Sequence, residues 1–248
     1  MARLGPIHRE SVAESAGGGW YPRSMHDAAA FPRAARRTRA LLAFGALGPA
    51  AFWVLGGVVA ATWPGYDPVA DSISSMVHAP LGGLQVLAFA IGGLFTLAWA
   101  VGAGRVLGAA PRDRSLVRAV FVAQAAISLA FALLPTDAAG APVTLVGGLH
   151  LATFYVYAIV MPASLVLVGR VFARDRAWRP ASRPTAGAAV LMVVATLLVP
   201  FTIAGPLEPW LGLLERIYVG IPGAWQVAVA LRALRLDART HATGTPAP

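Results

Sequence analysis

APLGGLQVLAFAIGGLFTLAWAVGAGR, residues 79–105, decides the fold. No charge interrupts it until Arg105. A helix rises 1.5 Å per residue, so ~20 apolar residues cross the ~30 Å hydrocarbon core of a bilayer. A surface helix of a soluble domain would carry a polar face along such a length, and this one has none. The segment is therefore read as a membrane span, at 81–104. Working outward, residues 40–66 are also free of charge and hold a span at 41–62. Further spans are expected at 117–134, 145–169 and 186–204. The last lies between Arg216 and Arg232 and is short. To reach ~20 residues it must begin near Gly212. That gives 212–234, puts Glu215 and Arg216 at or below the membrane surface, and leaves Arg232 and Arg235 to snorkel at the other end.

The basic residues set the expected topology. All 20 are arginine. All but Arg216 fall at Arg3–Arg39, Arg105–Arg118, Arg170–Arg183 and Arg232–Arg239, and the alternate connections carry none. Arginine-bearing loops stay on the cytoplasmic side. The expectation is an all-α, six-span bundle with both termini cytoplasmic. Residues 1–39 form a disordered basic tail, 40–236 the membrane domain and 237–248 a second disordered tail. Arg216 breaks the pattern, because it begins the last span on the far side.

Composition agrees with this assignment. The 248 residues are 57% hydrophobic and 12% charged, about half the charge of a soluble domain. The net charge of +9 is divided among the cytoplasmic segments, where anionic headgroups attract it. Membrane lipids are thus the expected partners, and nucleic acid is not; the sequence names no protein partner. Cysteine is absent, which excludes disulfides and thiol chemistry. The bias to Arg, Ala and Gly suggests a GC-rich genome, so the expected location is a bacterial cytoplasmic membrane, with multiple passes. The first 39 residues lack an apolar leader core, and Met25, just ahead of Arg33, Arg36, Arg37 and Arg39, reads as an alternative start.

Pro49, Pro162, Pro200 and Pro222 fall inside spans, where membrane helices tolerate kinks. Abundant Gly and Ala suit close helix packing. Trp63, Tyr66, Trp210 and Tyr218 mark the outer interface. Pro64, Pro135 and Pro206 follow alternate spans at equal spacing, but the sequence between them is not self-similar. Evenly sized spans account for the spacing without a triplicated hairpin.

The polar residues of interest lie on the outer side. Asp67-Pro68 reads as an N-cap with proline in the first turn. Asp71, Ser74, Ser75 and His78 follow at i, i+3, i+4 and i+7, which places them on one face of a short amphipathic helix in the first outer loop. Val69, Ile73, Met76 and Val77 take the other face. His150 lies inside span four, and a titratable group there is a functional candidate by default. Asp137 precedes the same span. Glu215 and Arg216 open span six. Neighbours on a helix diverge by about 100°, so each needs its own partner. Arg216 is expected either to form an ion pair that staples span six to the first loop or Asp137, or to bind an anion with its planar fork.

Several short pieces resemble a bacterial six-span family, domain of unknown function 998. They are Asp71-Ser-Ile-Ser74, Pro135-Thr-Asp137, His150 and Gly212-Leu-Leu-Glu-Arg216. The resemblance covers residues 40–235. It implies an architecture and a motif set, and no reaction. The serine-bearing loop and the intramembrane histidine are also similar to eukaryotic six-span families that include autophagy modulators and GPI-anchor lipid remodelling proteins.

Three functions stay open on these residues. One is an enzyme acting on a lipid or lipid-linked substrate at the outer leaflet. There Ser74 is the nucleophile, His78 or His150 its base, and Asp71 or Asp137 the orienting acid. A variant holds a divalent metal between His78, His150 and a carboxylate. The second is a structural or regulatory protein whose outer cluster locks the bundle. The third is a small transporter, opposed by the scarcity of polar groups deeper in the spans beyond Gln124, Ser128 and Ser164.

Overall fold

The computed structural model describes residues 25–107 and 110–243, with side-chain surroundings over 36–239 apart from 108, 109, 203 and 204. Six α-helices account for most of these residues: α1 (Met25–Thr62), α2 (Gly82–Val106), α3 (Pro111–Leu133), α4 (Leu145–Arg174), α5 (Arg179–Ala204) and α6 (Leu211–Thr243). Short 3-10 helices occupy Ser74–His78 and Glu208–Trp210. All six α-helices are long and apolar enough to cross a membrane.

Local chemistry sets their ends. Pro111 occupies the first turn of α3, where its missing N–H costs nothing. The Thr144 hydroxyl accepts from the Gly147 N–H and caps α4. Pro135 follows the C-cap of α3, at Leu134, and disfavours helical backbone there. Pro162, Pro200 and Pro222 lie within helices, as the sequence suggests. The helix α1 begins at Met25, ahead of the expected 41, and α6 runs to Thr243, beyond the expected 234. Residues 1–24 and 244–248, which carry much of the expected tails, lie outside the described residues.

Successive helices from α2 to α6 pack against one another. The first helix meets α2 and α6, since Gly45 lies against Trp99 and Ala230 and its carbonyl accepts from Gln226. A larger core surrounds Trp99, Phe121, Leu165, Phe172, Met192 and Trp225. A smaller one joins Phe52, Val59, Ala88 and Phe89 to Ile73 and Met76 of the first long loop. Those two loop residues are almost wholly buried, so the loop is plugged into the end of the bundle. Outside, Val54, Leu94, Ile159, Val190 and Leu197 are more than half exposed. A soluble protein rarely presents so broad an apolar surface, whereas lipid tails satisfy it.

The first loop departs from the expected helix. Asp67 does cap, its carboxylate accepting from the Val69 N–H at 2.8 Å, but what it caps is a single turn over 68–70 and no α-helix follows. Asp71 closes a turn, its N–H reaching the Asp67 carbonyl at 2.7 Å and its carboxylate accepting from the Asp67 N–H at 2.8 Å. Helical structure starts only at Ser74 and is 3-10. In that tighter winding residues i and i+4 no longer share a face. Ser74 and His78 therefore part company, one turning into the bundle and the other toward the second Arg-free loop.

Candidate functional site

Ser74, His150 and Glu215 meet where the first loop enters the bundle. The His150 Nδ1 lies 2.6 Å from the Leu134 carbonyl, and its Nε2 lies 3.1 Å from the Ser74 Oγ. A carbonyl only accepts, so Nδ1 carries a proton, and in the neutral ring Nε2 is the bare nitrogen that faces the serine. The carbonyl is available because α3 ends there and leaves its last acceptors without helical donors. His150 is 6% exposed. On the other side of the serine, Glu215 Oε1 lies 3.3 Å from Ser74 Oγ, while Oε2 accepts from the Ile73 N–H at 2.6 Å. The hydroxyl has one proton and two neighbours able to accept it.

The remaining candidates hold the frame. His78 Nε2 lies 2.9 Å from the Thr136 carbonyl. Asp137 accepts from the Thr144 N–H at 2.9 Å and from its hydroxyl at 2.8 Å. These two bonds, the backbone one foremost, hold the Asp137 carboxyl below the usual carboxylate range. A Cβ at Gly147 would lie 1.9 Å from an Asp137 carboxylate oxygen, so any side chain there would push the carboxylate off Thr144. Pro135-Thr-Asp137 thus reads residue by residue: the proline ends α3, the threonine carbonyl takes His78, and the aspartate braces the start of α4.

Arg216 does not form the expected ion pair. Its Nη1 donates to the carbonyls of Pro68, Asp71 and Gly212 at 2.8, 3.1 and 2.9 Å, and its Nη2 donates to the Tyr66 hydroxyl. That hydroxyl faces the carbonyls of Ser72 at 3.0 Å and Asp71 at 3.3 Å. Burial pushes the Tyr66 phenol above its ordinary value, against the pull of the guanidinium, so it stays protonated and donates to the loop. Gly212 lets the loop come this close: a Cβ there would lie 2.2 Å from the Asp71 oxygen. The sequence motif Gly212-x-x-Glu-Arg216 is a clasp on the first loop, in which Glu215 takes an N–H and Arg216 takes the carbonyls.

Of the expected site residues, the structure unites Ser74 and His150 and adds Glu215. It does not bring His78, Asp71 or Asp137 to the serine; the orienting group is the Leu134 carbonyl. Backbone partners of this kind leave no trace in side-chain spacing. Nor are three His, Asp or Glu side chains gathered as metal ligands among the described residues. The proposed His78–His150 pairing fails because the two rings face different carbonyls.

Two cavities adjoin the serine. One, of about 370 Å³, lies between α4, α5 and α6, where His150, Ser74 and Glu215 give way to Leu191, Val194 and Ile217. Those three apolar residues are also about half exposed on the lipid-facing surface, so the groove opens sideways. Its volume is within the ~300–1,000 Å³ of small-molecule sites. The other, of about 140 Å³, runs inward past Ser74 and Glu215 to Thr96, Gln124, Ser128 and Gln226. Thr96 and Gln226 are polar groups that the sequence reading passed over. They hydrogen-bond to each other at 3.2 Å, while the Gln124 Nε2 has no protein partner.

A six-helix bundle with apolar flanks and a hydrogen-bonded serine and histidine at one end defines a multi-pass integral membrane protein with a candidate site on its Arg-free loops. The family model described as "Protein of unknown function (DUF998)" matches residues 46–232, and the chain belongs to that family. The match spans all the residues of the site. No curated protein and no solved structure gives a significant match.

Proposed function

We propose that this protein acts on a lipid or lipid-linked ester, with Ser74 as nucleophile and His150 as general base, at the outer leaflet of a bacterial cytoplasmic membrane. The observation that carries this reading is the Ser74–His150 contact, with the imidazole tautomer set by Leu134, at the head of a groove open to the lipid surface. An isolated serine is a weak nucleophile and needs such a base. Ser74 Oγ would attack the ester carbonyl carbon as its proton passes to His150 Nε2. Collapse expels the alcohol, which takes the proton back from Nε2. The acyl-serine is then released to water or a second hydroxyl, activated by the same nitrogen. The lipid tails would lie along Leu191, Val194 and Ile217.

The test compares lipid profiles of cells expressing wild type, Ser74→Ala or His150→Ala at matched membrane levels. Wild type should shift one lipid class. Loss of a positioned base slows such chemistry by ~10²–10⁴-fold, so both variants should resemble cells without the protein. Profiles that do not differ, or a shift that survives in both variants, would sink the catalytic reading.

A second reading rests on the Arg216 clasp, which ties the loop to α6 through three loop groups, the Pro68 and Asp71 carbonyls and the Tyr66 hydroxyl. In it the cluster serves to lock the bundle. It predicts that site variants lose thermal stability in proportion to any lost effect on lipids.

A further inference from the structure

The opposite end of the bundle carries a second groove, between α4 and α5, with a volume of about 550 Å³. It meets the serine-site groove at Val194, which lines both, and contains none of the polar residues of that site. Val166, Val190 and Val193 wall it, and all are 40% exposed or more, facing the lipid. At its Arg-rich end it is flanked by Arg170 from α4 and Arg183 from α5, with Ser182 beside them. Both arginines are exposed and make no hydrogen bond or ion pair with a described residue. Their neighbours are committed: Arg174 pairs with Asp113 at 3.8 Å, and the Asp175 carboxylate accepts from the Ala177 N–H at 2.8 Å. Arg170 and Arg183 therefore make the mouth of the groove cationic, with no described carboxylate in ion-pair contact with either.

Length identifies the occupant. The groove follows α5 from Arg183 to Val194. At 1.5 Å per residue that is about 16 Å, close to half of the ~30 Å hydrocarbon core. A cationic mouth above an apolar channel one leaflet deep fits an acyl chain beneath an anionic headgroup. We infer that the α4–α5 groove is a binding site for an anionic glycerophospholipid of the leaflet at the Arg-rich end, its phosphate held between Arg170 and Arg183 and one tail laid along Val166, Val190 and Val193. Guanidinium forks suit phosphate oxygens.

Tryptophan fluorescence melts of the detergent-purified chain, which has seven tryptophans, test the site directly. Phosphatidylglycerol at saturation should raise the wild-type Tm by about 5 °C more than phosphatidylcholine does. Inorganic phosphate at the same concentration should leave it unchanged. Arg170→Ala/Arg183→Ala should lose the difference between the two lipids, and Arg112→Ala/Arg114→Ala, at the same end of the bundle, should keep it. Val190→Trp keeps both arginines but fills the groove, and should lose it too. Equal shifts with both lipids, or a difference retained by Arg170→Ala/Arg183→Ala or by Val190→Trp, would overturn the site. So would its loss in Arg112→Ala/Arg114→Ala, which would make the effect diffuse surface charge. A full response to phosphate alone would replace the lipid with a soluble anion.

Discussion

The Ser74 hydroxyl has one proton to offer and two neighbours, His150 Nε2 and Glu215 Oε1, able to take it. The three groups are satisfied together only if one further proton resides on the glutamate or on the imidazole. Glu215→Gln supplies that donor permanently. Its amide oxygen can still accept from Ile73 and its NH2 can point at Ser74 Oγ, which directs the serine proton to His150. The expected outcome is a stable protein that retains its effect on the lipid profile. Glu215→Ala instead leaves the Ile73 N–H without its acceptor, which costs ~1–3 kcal/mol for a buried donor and should appear as a lower midpoint in chemical unfolding. Equal stability of the Ala and Gln variants would show that the Ile73 contact contributes nothing. Arg216→Lys is the companion case. An ammonium cannot span the carbonyls of Pro68, Asp71 and Gly212 together with Tyr66. The lysine variant should lose thermal stability nearly as far as Arg216→Ala; a melt that matches wild type would refute the clasp.

The start of α4 shows how a single brace supports a site. Asp137 holds Thr144, and α4 carries His150 one to two turns further on. Because the folded carboxyl titrates below its ordinary value of 3.8, its stabilising effect is complete above that value and is lost as pH falls through the lower, folded one. Melts of the wild type should therefore show a loss of Tm below about pH 4 that Asp137→Asn does not share. Gly147→Ala should act through the same brace, since its methyl would claim the space of the Asp137 carboxylate. Its cost and that of Asp137→Ala should not add, as for any pair sharing one contact; additive losses would refute the shared brace. The six long helices were legible, because an uncharged run with no polar face has few alternatives. The short helix of the first loop was not. Its i, i+3, i+4, i+7 pattern fits an α-helix, but the Ile73 N–H is taken by Glu215, 142 positions away. Local periodicity cannot register that partner. For the same reason His150 and Ser74 were legible as candidates while the Leu134 carbonyl between α3 and α4 was not.

For the molecule as a whole, the alternation of arginine-bearing and arginine-free connections carries an orientation that can be measured. The chain has no cysteine, so single cysteines can be introduced without background. Ala141→Cys, on an arginine-free loop, should react with a membrane-impermeant maleimide on intact cells, and Ala177→Cys, between α4 and α5, only after lysis. The reverse pattern would turn the serine site to the cytoplasm and defeat the outer-leaflet proposal. One feature of the bundle also has a mechanical side. The sixth helix extends over 33 residues, about 50 Å. Glu215 and Arg216 grip the first loop near one end of it, and Asp237 joins Arg39 of α1 near the other, at 2.8 Å. A helix fastened near both ends, even with Pro222 between the fastenings, can pass a tilt from one to the other. A few degrees of tilt at the Arg39 joint would displace the far end by more than a hydrogen bond tolerates, and the first group to feel it would be Ser74. On the proposed function, the Ser74–His150 spacing would then answer to tilt of α6, and a change in bilayer thickness or lateral pressure would reach the serine without any ligand crossing the bilayer.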